Sequence, residues 1–314
     1  MTRNDFEALF EKLESSLTGK QKKINISSVL PVYYGISVDG YRRLAFLSVS
    51  RPPKVESTKT LRVTQGKEDD GIYWTCFDLL SDNARTVYYS FCSNLVQSVM
   101  NTDSEERALS LLKNRFMIWK ALFKSESSSK ESIDVLRGLY GELYFLKNYL
   151  LVKYDNAKTL LSWSGPDSTS KDFSLNEMWY EVKTIGSNEP TVKISSITQL
   201  TSNTNGFLAV IRTEQMSSEY SGNDCCIADL IDSILNILSD EHLESIMLNK
   251  VSSYCKNSSD SFSAVRFNVN SVKIYRVEPG FPRITVDEVP YTAITNVSYE
   301  IAVAALEPFL EEKL

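Results

Sequence analysis

The segment Asp172–Lys183, Asp-Phe-Ser-Leu-Asn-Glu-Met-Trp-Tyr-Glu-Val-Lys, constrains this 314-residue chain more than any other. Phe173, Leu175, Met178, Tyr180 and Val182 are apolar, with polar residues at most positions between. That period of two predicts a β-hairpin. Asn176-Glu177 fits a two-residue turn. Residue 175 then pairs with 178, 173 with 180, and 172 with 181. Asp172 and Glu181 stand opposite each other on one face, with Cβ atoms about 5 Å apart. Lys183 projects from the same face, as does Trp179, which could line a cleft or pack under a loop. Two opposed carboxylates repel, and their site costs stability unless a cation sits between them. A hard divalent cation with oxygen ligands, Mg²⁺ above all, suits that geometry. The plainer alternative is a solvated polar face, where a Glu181–Lys183 pair contributes only about 0–1 kcal/mol. The spacing alone does not decide between them, so the flanking sequence matters.

Upstream, Trp163-Ser-Gly-Pro166-Asp167 is rich in turn formers. Before it, Ile133, Leu136, Leu139, Leu143 and Leu146 recur at helical spacing, predicting a helix over about 132–153. Glu142 borders that apolar stripe. There it either finds a partner or reaches solvent at the stripe's edge. Gly138 and Gly141 allow another backbone to approach the same face. Downstream come a short strand at Val192–Ile194, a helix at Ser195–Leu200 carrying Gln199, and a strong strand at Gly206–Ile211.

This order is a helix with Glu, a strand with Asp, a strand with Glu-x-Lys, a helix and a strand. It resembles the core of the PD-(D/E)XK nuclease superfamily. Gly-Leu-Tyr-Gly-Glu-Leu, Trp-Ser-Gly-Pro, Asp-Phe and Trp-Tyr-Glu-Val-Lys-Thr resemble more closely an uncharacterised PD-(D/E)XK family found among bacterial restriction and phage-defence genes. The resemblance is specific over about residues 130–215 and diffuse elsewhere. It implies an α/β (α+β) fold, a restriction-endonuclease-like mixed sheet flanked by helices. By it, Glu142 matches the helix carboxylate, Asp172 the first metal ligand, and Glu181 and Lys183 the (D/E)-x-K pair. Gln199 matches a polar residue of the following helix. Pro166-Asp167 precedes Asp172 by five residues, so either Asp could be the ligand; only Asp172 falls opposite Glu181 in the hairpin register.

The remaining composition excludes several alternatives. Only one histidine is present, His242, in a polar Asp-Glu-His-Leu-Glu stretch. Histidine-based triads and zinc-hydrolase clusters therefore lack their parts. No P-loop motif occurs. The five cysteines, Cys76, Cys92, Cys225, Cys226 and Cys255, form no C-x-x-C, which points to a reducing, cytoplasmic setting. No apolar run approaches the roughly 20 residues of a membrane span, and the start lacks a signal-peptide core. The net charge of −6 counts against broad unaided affinity for nucleic acid. Lys20–Lys23, Arg42-Arg43 and Arg51–Lys54 are local candidates for phosphate contact.

Residues 1–124 are expected to form a β-rich N-terminal domain with helices, serving recognition or partner binding. A helix at 1–17, a polar break at Lys20–Lys23, paired strands within 24–80 and helices at 84–100 and 103–123 make it up. The Ser-rich stretch Ser125–Ser129 marks the boundary. Residues 125–314 are expected to form the nuclease-like domain. Its later part has helices at 224–238 and 240–251, a hairpin of Phe262–Val269 with Val272–Val277, a strand at Val297–Val303 and an acidic tail.

The resemblance implies Mg²⁺-dependent hydrolysis of DNA, with Mn²⁺ able to substitute. Asp172, Glu181 and the Val182 carbonyl would hold the metal, and Lys183 would position or deprotonate the attacking water. Glu142 would hold a second metal or its waters, or orient Lys183. Double-stranded DNA and proteins of the same defence system are the expected partners. The rival is a catalytically idle DNA-binding or assembly subunit.

Overall fold

The computed structural model describes residues 1–13, 18–100, 102–123, 132–165, 171–238, 240–254, 261–285, 288–289, 294 and 297–314. Ser125–Ser129, Pro166-Asp167 and Cys255 lie outside the described residues. The chain divides into two compact units, Met1–Lys130 with Cys255–Ser263, and Glu131–Tyr254 with Ala264–Leu314.

In the first unit, α1 (Arg3–Glu11) opens on a capping box between Thr2 and Asp5 and buries Phe6 and Phe10. Strands β1 (Gln21–Lys23), β2 (Val32–Ile36), β3 (Arg42–Ser48), β4 (Leu61–Lys67) and β5 (Tyr73–Leu79) form an antiparallel sheet in the order β1-β2-β3-β5-β4. The expected polar break at Lys20–Lys23 is thus an exposed edge strand, because pairing to β2 requires backbone groups rather than apolar side chains. Helices α2 (Arg85–Met100) and α3 (Glu105–Trp119) follow, and the rings of Phe91 and Phe116 both lie 5.4 Å from that of Phe77.

Arg42 and Arg43 do not stand free for phosphate. Arg43 grips buried Asp78 through two bonds of 2.6 and 2.8 Å, and Arg42 pairs with Asp82 at 2.5 Å. Asp78 also holds Arg62 at 2.9 Å. A fully buried carboxylate needs such partners, and releasing Arg43 to a ligand would leave it with Arg62 alone.

In the second unit, α4 (Ile133–Phe145) starts at Ser132, whose hydroxyl accepts the Val135 N–H at 3.3 Å. It runs through one π-helical turn, Leu146–Leu150, into α5 (Leu151–Lys153), and α6 (Asn156–Ser162) follows. Then come β6 (Phe173–Leu175), β7 (Met178–Gly186), β8 (Thr191–Ile194), β9 (Asn205–Met216), α7 (Ile227–Ile237), α8 (Glu241–Tyr254), β10 (Arg266–Val277), β11 (Tyr299–Ala302) and β12 (Leu310–Lys313). The main sheet has the order β12-β10-β9-β7-β6, with β7 and β9 parallel and its other pairs antiparallel. Strands β8 and β11 form a separate two-stranded ladder. This is a mixed α/β fold, with a mixed sheet as expected.

Three expectations for this unit change. The segment 262–277 is not a hairpin: Phe262 lies in a short helical turn, and 266–277 is one strand. Asn270 is the extra residue of a bulge between Val269↔Thr213 and Ser271↔Arg212, so the expected turn is absorbed within the ladder. The acidic tail is strand β12, where Glu311 pairs with Arg276 at 2.7 Å and Glu312 with Lys153 at 2.5 Å. The expected helix at Ser195–Leu200 is a single 3₁₀ turn, Ile197–Leu200.

Alternation along β7 sends Tyr180, Val182 and Thr184 to one face and Trp179, Glu181, Lys183 and Ile185 to the other. Helix α4 covers the first face, with Phe145 5.4 Å from the Tyr180 ring. On the second, Trp179, Ile185, Leu208 and Val210 pack with Val192 and Ile301 of the small ladder. Trp179 is therefore a core residue rather than a cleft lining, and it lies so close to Gly206 that a Cβ there would meet its ring at 2.0 Å.

Gly141 sets how closely α4 approaches β7. A Cβ at 141 would sit 1.7 Å from Thr184 Oγ1 and 2.9 Å from Thr184 Cβ. Alanine gains about 1 kcal/mol in helix propensity, but the clash outweighs it. Gly141→Ala should destabilise the fold by about 2–3 kcal/mol in urea denaturation.

Candidate active site

The β6–β7 ladder pairs Leu175 with Met178, Ser174 with Trp179, and Phe173 with Tyr180. Asn176 turns the chain at φ 33°, a conformation Asn tolerates better than most residues. Asp172 and Glu181 stand one step beyond the last rung. There the pairing ends, and the Asp172 side chain takes over: Oδ2 accepts the Val182 N–H at 2.7 Å. Oδ1 makes no hydrogen bond among the described residues.

Glu181 is 1% exposed, and neither of its oxygens accepts a hydrogen bond of regular geometry. Lys183 Nζ lies 2.7 Å from Oε1 as its ion-pair partner. Burial first, then the Asp172 charge, push the Glu181 carboxyl up to about 8, against the pull of Lys183. Burial also raises Asp172, against Lys183 and the Val182 N–H. For Lys183, burial works downward, but Glu181 and Asp172 outweigh it and hold the ammonium above its ordinary value.

Glu142 reaches the same charge cluster from α4. Its Oε2 accepts from Trp163 Nε1 and from Tyr254 Oη, each at 2.8 Å. The Trp163 and Tyr254 rings stack at 6.3 Å, and the Trp163 carbonyl accepts from Lys250 Nζ. Burial raises the Glu142 carboxyl well above its ordinary range, and the Asp172 charge adds to this more than Glu181 does.

Gln199 is placed differently. It lies on the 3₁₀ turn, its Oε1 accepts the Ser195 N–H at 2.8 Å, and it makes no hydrogen bond to the acids among the described residues. The turn is nevertheless tied to the hairpin, because Lys171 Nζ donates to the carbonyls of Thr198 and Gln199. The structure thus groups Glu142, Asp172, Glu181 and Lys183 electrostatically and leaves the Gln199 side chain apart. Val182 enters through its N–H. His242 lies exposed on α8.

Trp163, Tyr254 and Lys171 belong to the site and carry no role in the sequence reading. Trp163 has a signal there, its place in the Trp-Ser-Gly-Pro stretch. Tyr254 has none.

Among the described residues no three His, Cys, Asp or Glu side chains form a ready-made metal cage. The donors present nonetheless fit a hard cation. Glu181 offers two buried oxygens, of which Oε1 is ion-paired with Lys183, and Asp172 offers Oδ1. Such a cation completes its shell from backbone carbonyls, water or a phosphate. Four buried cysteines are free thiols, and no described helix is long and apolar enough to cross a membrane.

A family model described as "Putative PD-(D/E)XK family member (DUF4420)" matches residues 6–304. No curated protein and no solved structure gives a match. The matched span takes in nearly the whole chain, with Glu142, Asp172, Glu181 and Lys183 inside it, and the chain belongs to this PD-(D/E)XK family.

Proposed function

We propose that this chain is a Mg²⁺-dependent endonuclease that hydrolyses DNA phosphodiester bonds in a bacterial restriction or phage-defence system, in the cytoplasm. One observation carries the reading: a buried carboxylate, Glu181, beside Asp172, whose close polar partner among the described residues is Lys183 at 2.7 Å. Burying two acids so close is unfavourable in a purely structural hairpin. It is accounted for where a cation is to be bound.

Asp172, Glu181 and the Val182 carbonyl would hold the metal, which supplies polarisation of the scissile phosphate and a lowered pKa for the attacking water. Lys183 holds its proton in the field of the acids, so it orients the water and stabilises the charge growing on the phosphate. Glu142, fixed by Trp163 and Tyr254, adds to the field on Lys183. The grip on one of its oxygens keeps that carboxyl group in place. The net charge of −6, with Arg42 and Arg43 committed to Asp82 and Asp78, supports a reading in which a partner protein helps load the chain onto DNA.

The rival reading, a catalytically idle DNA-binding or assembly subunit, draws on the absence of a three-carboxylate cage among the described residues. Incubation of supercoiled plasmid with Mg²⁺ or Mn²⁺ separates the two. Wild type should nick or linearise the plasmid, and Lys183→Ala should leave it intact. Equal cleavage by both proteins would assign the activity to a contaminant and favour the idle subunit.

A further inference from the structure

Asp172 stands one residue before β6, so the β6–β7 pairing does not fix it. Two bonds hold it. Its carbonyl accepts the Ser164 N–H at 2.8 Å, and its Oδ2 accepts the Val182 N–H at 2.7 Å. The residue before it supplies a third hold. Lys171 is buried, 7% exposed, and its Nζ donates to the Thr198 and Gln199 carbonyls, each at 2.5 Å. The same Nζ lies 3.9 Å from the centre of the Trp179 ring.

The far end of that arm is a fixed point. Leu200, next in the turn, is fully buried in the same apolar cluster as Trp179, Val192 and Ile194, and its carbonyl accepts from Arg283 Nη1 at 2.5 Å. Trp179 precedes Glu181 by two residues on β7 and shares its face. The Lys171 side chain therefore starts at the entry to Asp172, passes over the indole beside Glu181 and ends on a turn locked into the core. Carbonyls at the end of a helical turn can be served by water. Burying an ammonium to serve them costs more, and lysine is among the residues least often buried. What the lysine adds over water is a covalent link from those carbonyls to the residue that carries the first acid.

We infer that Lys171 is a positioning residue for the cation site and acts through Asp172: by tying the chain to the turn and to Trp179, it keeps the Asp172 carboxylate in place beside Glu181. The inference rests on the reading of Asp172 and Glu181 as ligands of a divalent cation. Charge and position predict opposite signs here. Removing one positive charge near the acids would by itself tighten cation binding. Removing a tie that places a ligand weakens it.

The test uses the full chain as wild type, Lys171→Met and Lys171→Arg. Mn²⁺ affinity is measured by calorimetry, and hydrogen exchange is followed at the amides of Ser164 and Val182, with Ala209 of the central strand β9 as reference. Lys171→Met should bind Mn²⁺ about ten- to a hundred-fold more weakly. Lys171→Arg, which keeps two donors and a cation over the indole, should return to within about three-fold of wild type. Exchange at Ser164 and Val182 should quicken at least about ten-fold in Lys171→Met, while Ala209 keeps its wild-type rate. If Lys171→Met does not fold, the shorter Lys171→Gln, which cannot span the same distance, is read in its place with the same expectations. Equal or tighter Mn²⁺ binding, unchanged exchange at the two amides, or equal quickening at Ala209 would each overturn the inference. If wild type binds no Mn²⁺, the cation-site reading falls, and exchange then decides the tie alone: local quickening sustains the hold on Asp172, and its absence removes it.

Discussion

Asp172→Ala and Glu181→Ala should each abolish metal-dependent cleavage, a loss of at least about 1,000-fold, together with the rise in melting temperature that Mn²⁺ or Mg²⁺ produces in wild type. Lys183→Ala should lose cleavage to a similar degree and keep the metal-induced rise, since an ammonium is not a ligand. Glu142→Ala should lose less, about 10- to 100-fold, because its carboxylate acts on the other charges and one of its oxygens is already committed to Trp163 and Tyr254. Plasmid cleavage and thermal melting, with and without metal, check all four. This split is what distinguishes a metal-and-lysine mechanism from a hairpin that merely holds the fold together. If the acids served only structure, their removal would lower the metal-free melting temperature and leave any metal effect unchanged.

The second large effect concerns stability and pH. The Glu181 carboxyl is pushed by burial, and then by Asp172, from an ordinary 4.5 up to about 8 in the folded state. A folded-state value above the unfolded one means that the fold binds the extra proton. Its favourable contribution is complete below about pH 4.5 and is lost as pH rises through about 8. The metal-free protein should therefore weaken between pH 5.5 and pH 8. Glu181→Gln removes the charge and keeps the shape. It should be more stable than wild type at pH 8 by about 2–4 kcal/mol and close to it at pH 5.5, measured by urea denaturation. Divalent metal reverses the order at pH 8, because bound cation stabilises only the protein that retains the carboxylate. Wild type at pH 8 matching Glu181→Gln in the absence of metal would contradict the buried-charge account.

The hairpin register is legible in the residues, because a side-chain period of two and a two-residue turn leave only one pairing that keeps Phe173, Tyr180 and Val182 on the apolar side. So is the helix that carries Glu142. What completes the site is not legible, because it depends on where elements end. Asp172 caps the Val182 N–H only because β6 begins at Phe173. Trp163 and Tyr254 reach Glu142 across 21 and 112 residues, and no local pattern announces such a meeting. The same holds for Arg43 and Asp78, 35 residues apart, whose pairing withdraws an arginine that looks available in the sequence. Strand β12 escapes sequence reading for another reason. Its Leu-Glu-Glu-Lys has no apolar face, and it is recruited by backbone pairing and by Arg276 and Lys153.

The most direct measurement is calorimetric titration of Mn²⁺ into metal-free wild type and Glu181→Gln at pH 8, in two buffers of different ionisation enthalpy. Wild type should bind, with heats that differ between the buffers because the proton on the raised carboxyl is released as the cation arrives. Glu181→Gln should show no binding. Absence of binding by wild type, or equal binding by both proteins, would contradict the claim that Asp172 and Glu181 form a cation site.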